Sequence, residues 1–293
     1  VLAVLLALAA AGCYAVGWVL QQREAAAQAE RPSLSPALLF HLVRRPLWVV
    51  GIVTMVFGNL FQGAALDVGN LTLVEPVLVL SLLFALPLGA ALSRQRLRLV
   101  EWAAAVAVSL GVALLLIIGS PGGATTVGTP LHWALAGFAT AGATAVIVTA
   151  GLRFAGVARA ALFATAAGLL FGLQDATTKS LFDAVHDGGL AALPLAWQTY
   201  GVLITAVYGL LLSQDAYKSA SLPASLPPLT VVEPIVGIAV GVGVLGESIN
   251  LGGLALVGEV TAVVLMVVGS YALAHSPLVA VEQREPPVTT EVR

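Results

Sequence analysis

The chain has 293 residues, 59% of them apolar and 10% charged, with 13 Lys and Arg against 15 Asp and Glu, four His and a net charge of -2. A soluble domain carries about 25% charged residues, so this composition lacks the polar material to cover a water-facing surface and excludes a soluble globule. The charge balance offers no basic stripe for nucleic acid, and the single cysteine, Cys13, excludes a disulfide scaffold or a thiolate metal cluster.

Nine apolar runs follow in chain order: Leu2 to Leu20, Leu47 to Leu66, Leu71 to Leu92, Leu99 to Gly119, Leu131 to Ala150, Ala155 to Leu173, Leu190 to Leu212, Leu226 to Leu245, and Ile249 to Tyr271. Each has about 20 residues, enough to cross a hydrocarbon layer of about 30 Å as a helix. A β-barrel would instead show alternating segments of about ten residues. The first run, VLAVLLALAA onward, lacks a basic flank and is followed by QQREAAAQAE rather than a cleavage site, so it reads as a retained span.

Alternating the connections between two sides puts Arg23, Arg31, Arg44, Arg45, Arg94, Arg96, Arg98, Arg153, Arg159, Lys218, Arg284 and Arg293 together, 12 of the 13 basic residues. Lys179 alone falls on the other side, with Asp67, Asp183 and Asp187. Basic connections stay on the cytoplasmic side, so an integral protein of a bacterial plasma membrane is expected, with its amino terminus outside and its carboxyl terminus inside. Trp18, Trp48, Trp102 and Trp133 lie near span ends, where interfacial anchors belong, while Trp197 lies deeper. The segment from Ser276 to Arg293 reads as a flexible cytoplasmic tail.

A repeat crosses this pattern. Leu71-Thr72-Leu73-Val74-Glu75-Pro76-Val77 returns as Leu229-Thr230-Val231-Val232-Glu233-Pro234-Ile235, displaced by 158 residues with five identities. Phe61-Gln62-Gly63-Ala64 and Ser213-Gln214-Asp215-Ala216 precede the two copies. The expected fold is therefore all-α: a first membrane repeat over residues 1–119, a connection and central linking helix over 120–154, a second repeat over 155–275, and the tail 276–293. An odd linking span inverts the second four-helix unit relative to the first, an arrangement that frames a midplane cavity and alternating access in transporters.

Glu75 and Glu233 are the sharpest site candidates. A carboxylate in hydrocarbon is costly unless it faces a cavity, a partner or a proton. Pro76 and Pro234 remove an amide donor and would leave a carbonyl for an ion or solute, and Gly237 and Gly241 give a close-packing or gating spacing. The competing reading makes each Glu-Pro pair a helix start. Glu259 stands deep in the last run, beside Gly258, while Glu101 and Glu247 lie nearer the interfaces and read as solvated. A second layer of polar groups comprises Asn59, Gln62, Asn70, Gln174, Asp175, Gln198 and Gln214. Of these, Gln62, Asn70 and Gln214 are expected beside Glu75, Glu233 and Glu259 on the solute or ion pathway. No His-Glu-x-x-His, nucleophile elbow or nucleotide loop occurs, so neither enzyme chemistry nor a bound cofactor is expected.

The Val-Glu-Pro repeats, the Leu245-Gly246-Glu247 step and the Gly-rich last run resemble the drug/metabolite transporter superfamily, the EamA-like proteins, from Leu2 to about Ala274. Within it the nine-span layout and Gln21-Gln22-Arg23 are similar to the NIPA-like magnesium-transporter branch, with Glu75-Pro76 and Glu233-Pro234 at that branch's Thr-Pro steps. The resemblance implies passage of a small polar or cationic solute between the halves, with proton or cation coupling. A monomer already contains both halves. Magnesium is the alternative cargo, with Glu75 and Glu233 as its oxygen ligands, but it dehydrates slowly and few other deep acids are present, so an organic solute is favoured. A membrane-embedded enzyme or a structural membrane protein are the readings from other classes.

This topology predicts that the Arg94 to Arg98 connection is labelled from the cytoplasm and the Asp183 to Asp187 connection from outside, with single cysteines introduced in a Cys13-replaced background. Labelling of both from one side overturns it.

Overall fold

Long aliphatic runs in a bilayer find no water for their amide groups, which leaves the helix, with all its backbone bonds internal, as the structure open to them. The computed structural model describes residues 1–28, 30, 32, 34–68, 77–92, 97–118, 128–246 and 253–275, and no strand occurs among them. The first half comprises α1 (Leu2–Ala26), a short α2 (Pro36–Leu42), α3 (Pro46–Val68), α4 (Leu80–Leu92) and α5 (Leu99–Ile118). Next comes α6 (Pro130–Gly151), followed by α7 (Gly156–Gly188), α8 (Trp197–Ser219), α9 (Leu222–Leu245) and α10 (Gly253–Ala274).

Seven of these helices are long and apolar enough to cross a membrane, namely α1, α3, α5, α6, α7, α9 and α10. The chain is a polytopic α-helical membrane protein. Nine such spans were expected, and the two that fall short do so for different reasons. The described part of α4 is a 13-residue apolar helix. The last turns of α8 carry Gln214, Asp215 and Lys218, polar groups that the bundle buries.

Boundaries shift where local chemistry competes with hydropathy. No proline interrupts α7, which continues past Leu173 for 33 residues in all and stops at Gly189, whose φ of 68° favours glycine. A 3-10 turn, Leu190–Ala192, and then Pro194 delay α8 to Trp197. Ser221 precedes α9 and Pro223 sits in its first turn, while Gly246 closes its other end in a left-handed conformation, its N–H donating to the Gly241 carbonyl.

The packing follows one plan twice. In the first half α1 packs on α3 and α4, and α4 on α5; in the second α7 packs on α8 and α9, and α9 on α10. The halves meet where α5 lies against α10, α1 against α8, and α9 against α4 and α5. Helix α6 rests on α7 and turns Phe138 and Val146 outward, as a lipid-facing helix does. Ala15, Val19, Leu82, Val108, Leu226 and Met266 belong to the largest buried cluster, which draws on both halves.

Small residues set the distances. A Cβ on Gly111 of α5 would lie 2.7 Å from the Ala262 carbonyl oxygen and 2.6 Å from Met266, and one on Gly269 of α10 would lie 2.7 Å from the Ala104 carbonyl oxygen and from Val108. Gly269, Ala262 and Met266 follow Gly111, Ala104 and Val108 by 158 residues each, the displacement of the sequence repeat. Gly17 of α1 and Gly51 of α3 likewise face each other's carbonyl oxygens.

Overfilling the α5–α10 seam tests this arrangement. Gly269→Leu should cost about 1–3 kcal/mol or more through overpacking, read as a lower melting midpoint in detergent. Gly137→Ala and Gly142→Ala on α6, where a Cβ meets nothing within 4 Å, should leave the midpoint unchanged. Equal midpoints for all three variants would remove the seam from the account.

Candidate functional site

The centre of the site is built on α9. Pro234 has no amide, so the Thr230 carbonyl one turn earlier lacks its usual helical donor, and both residues face a common cavity. The Glu233-Pro234 step lies about three turns inside the helix that begins at Leu222, which sets aside the reading of this pair as a helix start. Gly168 and Gly172 of α7 admit the step: a Cβ on Gly172 would overlap the Glu233 carbonyl, and one on Gly168 would lie 2.9 Å from the Leu229 carbonyl oxygen. Backbone thus meets backbone at Glu233. The Gly-x-x-x-Gly spacing of Gly168 and Gly172 carries this contact, and that spacing is the signal by which the sequence could have revealed it.

The cavity has a volume of ≈ 680 Å³ and takes its wall from α1, α3, α4, α5, α7, α8 and α9. Its polar groups include Asn59 and Gln62 of α3, Gln174 and Asp175 of α7, Ser213 and Tyr217 of α8, and Thr230 and Glu233 of α9. Tyr14 donates to Gln62 Oε1 at 2.6 Å, and Tyr14, Trp18 and Phe171 give the wall aromatic surface. Tyr217 is buried and shares this wall with Glu233. Gln174 Oε1 is buried with no hydrogen-bond partner among the described residues. Asp175 and Glu233 are the carboxylates among the described lining residues. Such a cavity favours a cation or a solute rich in hydrogen-bond donors.

Of the residues expected on a pathway, Gln62 and Glu233 line this cavity, and so do Pro234 and Gly237. Gln214 does not: it is fully buried behind the wall, its Nε2 donating to Gln21 Oε1 at 2.8 Å while Trp48 Nε1 donates to its Oε1 at 3.0 Å. It therefore holds Gln21, which does face the cavity. Trp48, expected as an interfacial anchor, is buried in this network instead. Gly241 is buried in α9 beyond the cavity and serves the helix cap. Glu259 faces a separate lateral cleft. Glu75, Pro76 and Asn70 lie outside the described residues, as does Glu247. Asp175, read from sequence only as one of a polar group, emerges as a cavity carboxylate because α7 runs on past the expected span end. Among the described residues no three His, Cys, Asp or Glu side chains converge as metal ligands would.

Two further charges expected near water are enclosed. Glu101 is 1% exposed and accepts from the Arg98 backbone N–H at the start of α5, where the helix dipole favours an acid. Lys218 Nζ stands 2.6 Å from Asp215 Oδ1, with the two side chains 3% and 0% exposed. The Leu34 N–H donates to Asp215 Oδ2 at 2.6 Å, and Lys218 Nζ donates to the Pro32 carbonyl at 3.2 Å. This pair ties the connection after α1 to the end of α8, so both lie at one end of the bundle.

Removing one partner should strand the other's charge: Lys218→Met should cost about 3–5 kcal/mol. Lys218→Met combined with Asp215→Leu should recover most of the lost melting temperature. A single variant that melts like the wild type would show that the pair is not enclosed.

Over 281 residues the chain is 33% identical to an uncharacterized protein of Corynebacterium glutamicum, Cgl0250/cg0304, and the match covers 94% of this chain and 95% of the relative. No family model matches the chain, and no solved structure does. Identity at this level over nearly the full length of both proteins means that the chain belongs to the family of this uncharacterized Corynebacterium glutamicum protein.

Proposed function

We propose that the protein is a secondary transporter or facilitator that moves a small polar or cationic organic solute through the central cavity. The observation that carries this reading is the cavity: two carboxylates, several amides and aromatic faces gathered from both halves of an otherwise apolar bundle. Ionisable groups that face an interior cavity in a membrane protein mark solute and ion routes. Covalent chemistry is not required, because Asp175 and Glu233 act by charge and by exchange of protons with the cargo or with water. That exchange is the simplest coupling to an ion gradient.

The reciprocal contacts of Gly111 and Gly269 support two inverted repeats, as the drug/metabolite transporter resemblance implies. Equivalent residues of two antiparallel helices that touch each other mutually are related by an axis perpendicular to both helices, and hence in the membrane plane. Inverted units of this kind open a shared cavity first to one side and then to the other. The cytoplasmic carboxyl terminus, the plasma-membrane location and the nine-span topology belong to the same proposal, with 1–119 and 155–275 as the two moving units and α6 as their link.

An organic cargo is preferred to magnesium on the character of the wall. Magnesium asks for near-octahedral oxygen ligation, whereas aromatic faces beside acids suit an organic cation or a mixed polar solute. Proteoliposomes carrying the full chain and a pH gradient, screened with amines, polar metabolites and magnesium, should redistribute an amine or polar metabolite. Initial flux at matched protein abundance should fall at least tenfold in Glu233→Gln and several-fold in Asp175→Asn. Unchanged flux in Glu233→Gln removes its carboxylate from the mechanism. Saturable magnesium flux that Glu233→Gln abolishes, with no organic solute moved, replaces the organic cargo by magnesium.

A further inference from the structure

Glu259 is a carboxylate of the apolar stretch of α10 that the central cavity leaves unused. It stands on α10 next to Gly258, whose missing side chain lets Ile118 of α5 lie against the helix. Beside it α5, α9 and α10 leave a second cleft of ≈ 350 Å³. Leu115 of α5, Ile235 and Ile238 of α9, and Leu256, Val260 and Val263 of α10 form its wall, and every lining side chain except Glu259 is aliphatic. The cleft opens on the outer face of α10, where Leu256, Val260 and Val263 are exposed to the surrounding lipid. Glu259 lies four residues inside the apolar stretch Ala255–Ala274, about 6 Å along the helix.

One oxygen of this carboxylate, Oε1, is buried without a hydrogen-bond partner among the described residues. A buried acceptor in aliphatic surroundings is unfavourable unless a donor or a cation reaches it. A hydrated metal ion gains little there, since one carboxylate among aliphatic side chains supplies no further oxygen ligands. An anion is repelled, and a neutral alkane leaves the acid unpaired. A molecule with a positively charged nitrogen and an alkyl body meets both demands, and the bilayer is where such molecules concentrate.

We propose that the cleft between α5, α9 and α10 binds a lipophilic organic ammonium ion, its nitrogen against Glu259 and its alkyl part along the aliphatic wall. The site is separate from the central cavity, with Ile238 in the wall of both. The shared chemistry of an alkyl ammonium is met by a free amine in the membrane and by the ammonium headgroup of a lipid. This site does not depend on the transport reading, because its occupancy is a binding event and not a flux.

The test uses the full chain in dodecyl maltoside, a neutral detergent, with radiolabelled decyltrimethylammonium as the probe and decanol as the neutral competitor. Binding should saturate above micelle partition, and decanol should not displace the probe. Glu259→Gln should weaken binding at least tenfold. Ile235→Trp, which fills the cleft from α9 and keeps the acid, should do the same and decides the matter if Glu259→Gln does not fold. Measured in the Glu233→Gln with Asp175→Asn background, where the central carboxylates no longer hold a cation, probe binding should still saturate and should still be lost on Glu259→Gln, which separates this site from the central one. Displacement by added phosphatidylethanolamine assigns the cleft to a lipid ammonium, and its absence with retained probe binding assigns it to a free amine. Unsaturable binding, equal displacement by decanol, or wild-type affinity in a folded Glu259→Gln or Ile235→Trp protein overturns the proposal.

Discussion

Close contact between helices through small residues is the condition on which this structure rests. Between lipid-exposed apolar helices, burial of more hydrocarbon gives little drive, because lipid tails are as apolar as the side chains, and association depends on packing and interhelical polar contacts. The chain meets that condition at three seams: Gly17 against Gly51, Gly168 and Gly172 against the Glu233 step, and Gly111 against Ala262 with Gly269 reciprocally against Ala104. Each brings one backbone onto another. The second seam also fixes where the α9 carboxylate stands, so the same contact that holds α7 to α9 positions the cavity's acid.

Polar groups follow as the second condition, since a donor or acceptor enclosed without a partner is penalised more than a pair is rewarded. Gln21, Gln214 and Trp48 satisfy one another across α1, α8 and α3. Lys218 and Asp215 neutralise each other and take up the Pro32 carbonyl and the Leu34 amide. These contacts close the back of the cavity wall and one end of the bundle. They also explain how α8 can end in a buried polar stretch: Gln214, Asp215 and Lys218 find their partners within the protein.

Several buried side-chain oxygens have no hydrogen-bond partner among the described residues, and two of them belong to residues that line the two cavities. Gln174 lines the large central cavity with Asp175 and Glu233. Glu259 lines the lateral cleft. The first environment mixes amides, acids and aromatic rings and suits a polar cargo; the second is aliphatic apart from its acid and suits an amphipathic cation. The two share Ile238 of α9, one turn after Pro234.

Composition by itself determined that this is a polytopic helical membrane protein, because a chain with so few charges cannot cover a surface in water and runs of about 20 apolar residues cannot bond their backbone in lipid except as helices. Patterning also located Gln62, Glu233, Pro234 and Gly237, since a carboxylate or a proline inside such a run has few tolerable settings. What hydropathy could not decide was which polar group faces which space. A periodic run gives α7 no stop at Leu173, so Asp175 enters the cavity only because the helix continues; Gln214 and Glu259 are separated from the cavity by the way α8 and α10 are rotated against their neighbours. Trp48 and Glu101 read as interfacial because they stand near helix ends, yet a helix end is near water only if no other segment covers it. Depth along a helix is a one-dimensional quantity fixed by sequence, whereas the partner, cavity or lipid that a side chain meets at that depth is fixed by helix rotation and packing, and those belong to the tertiary structure.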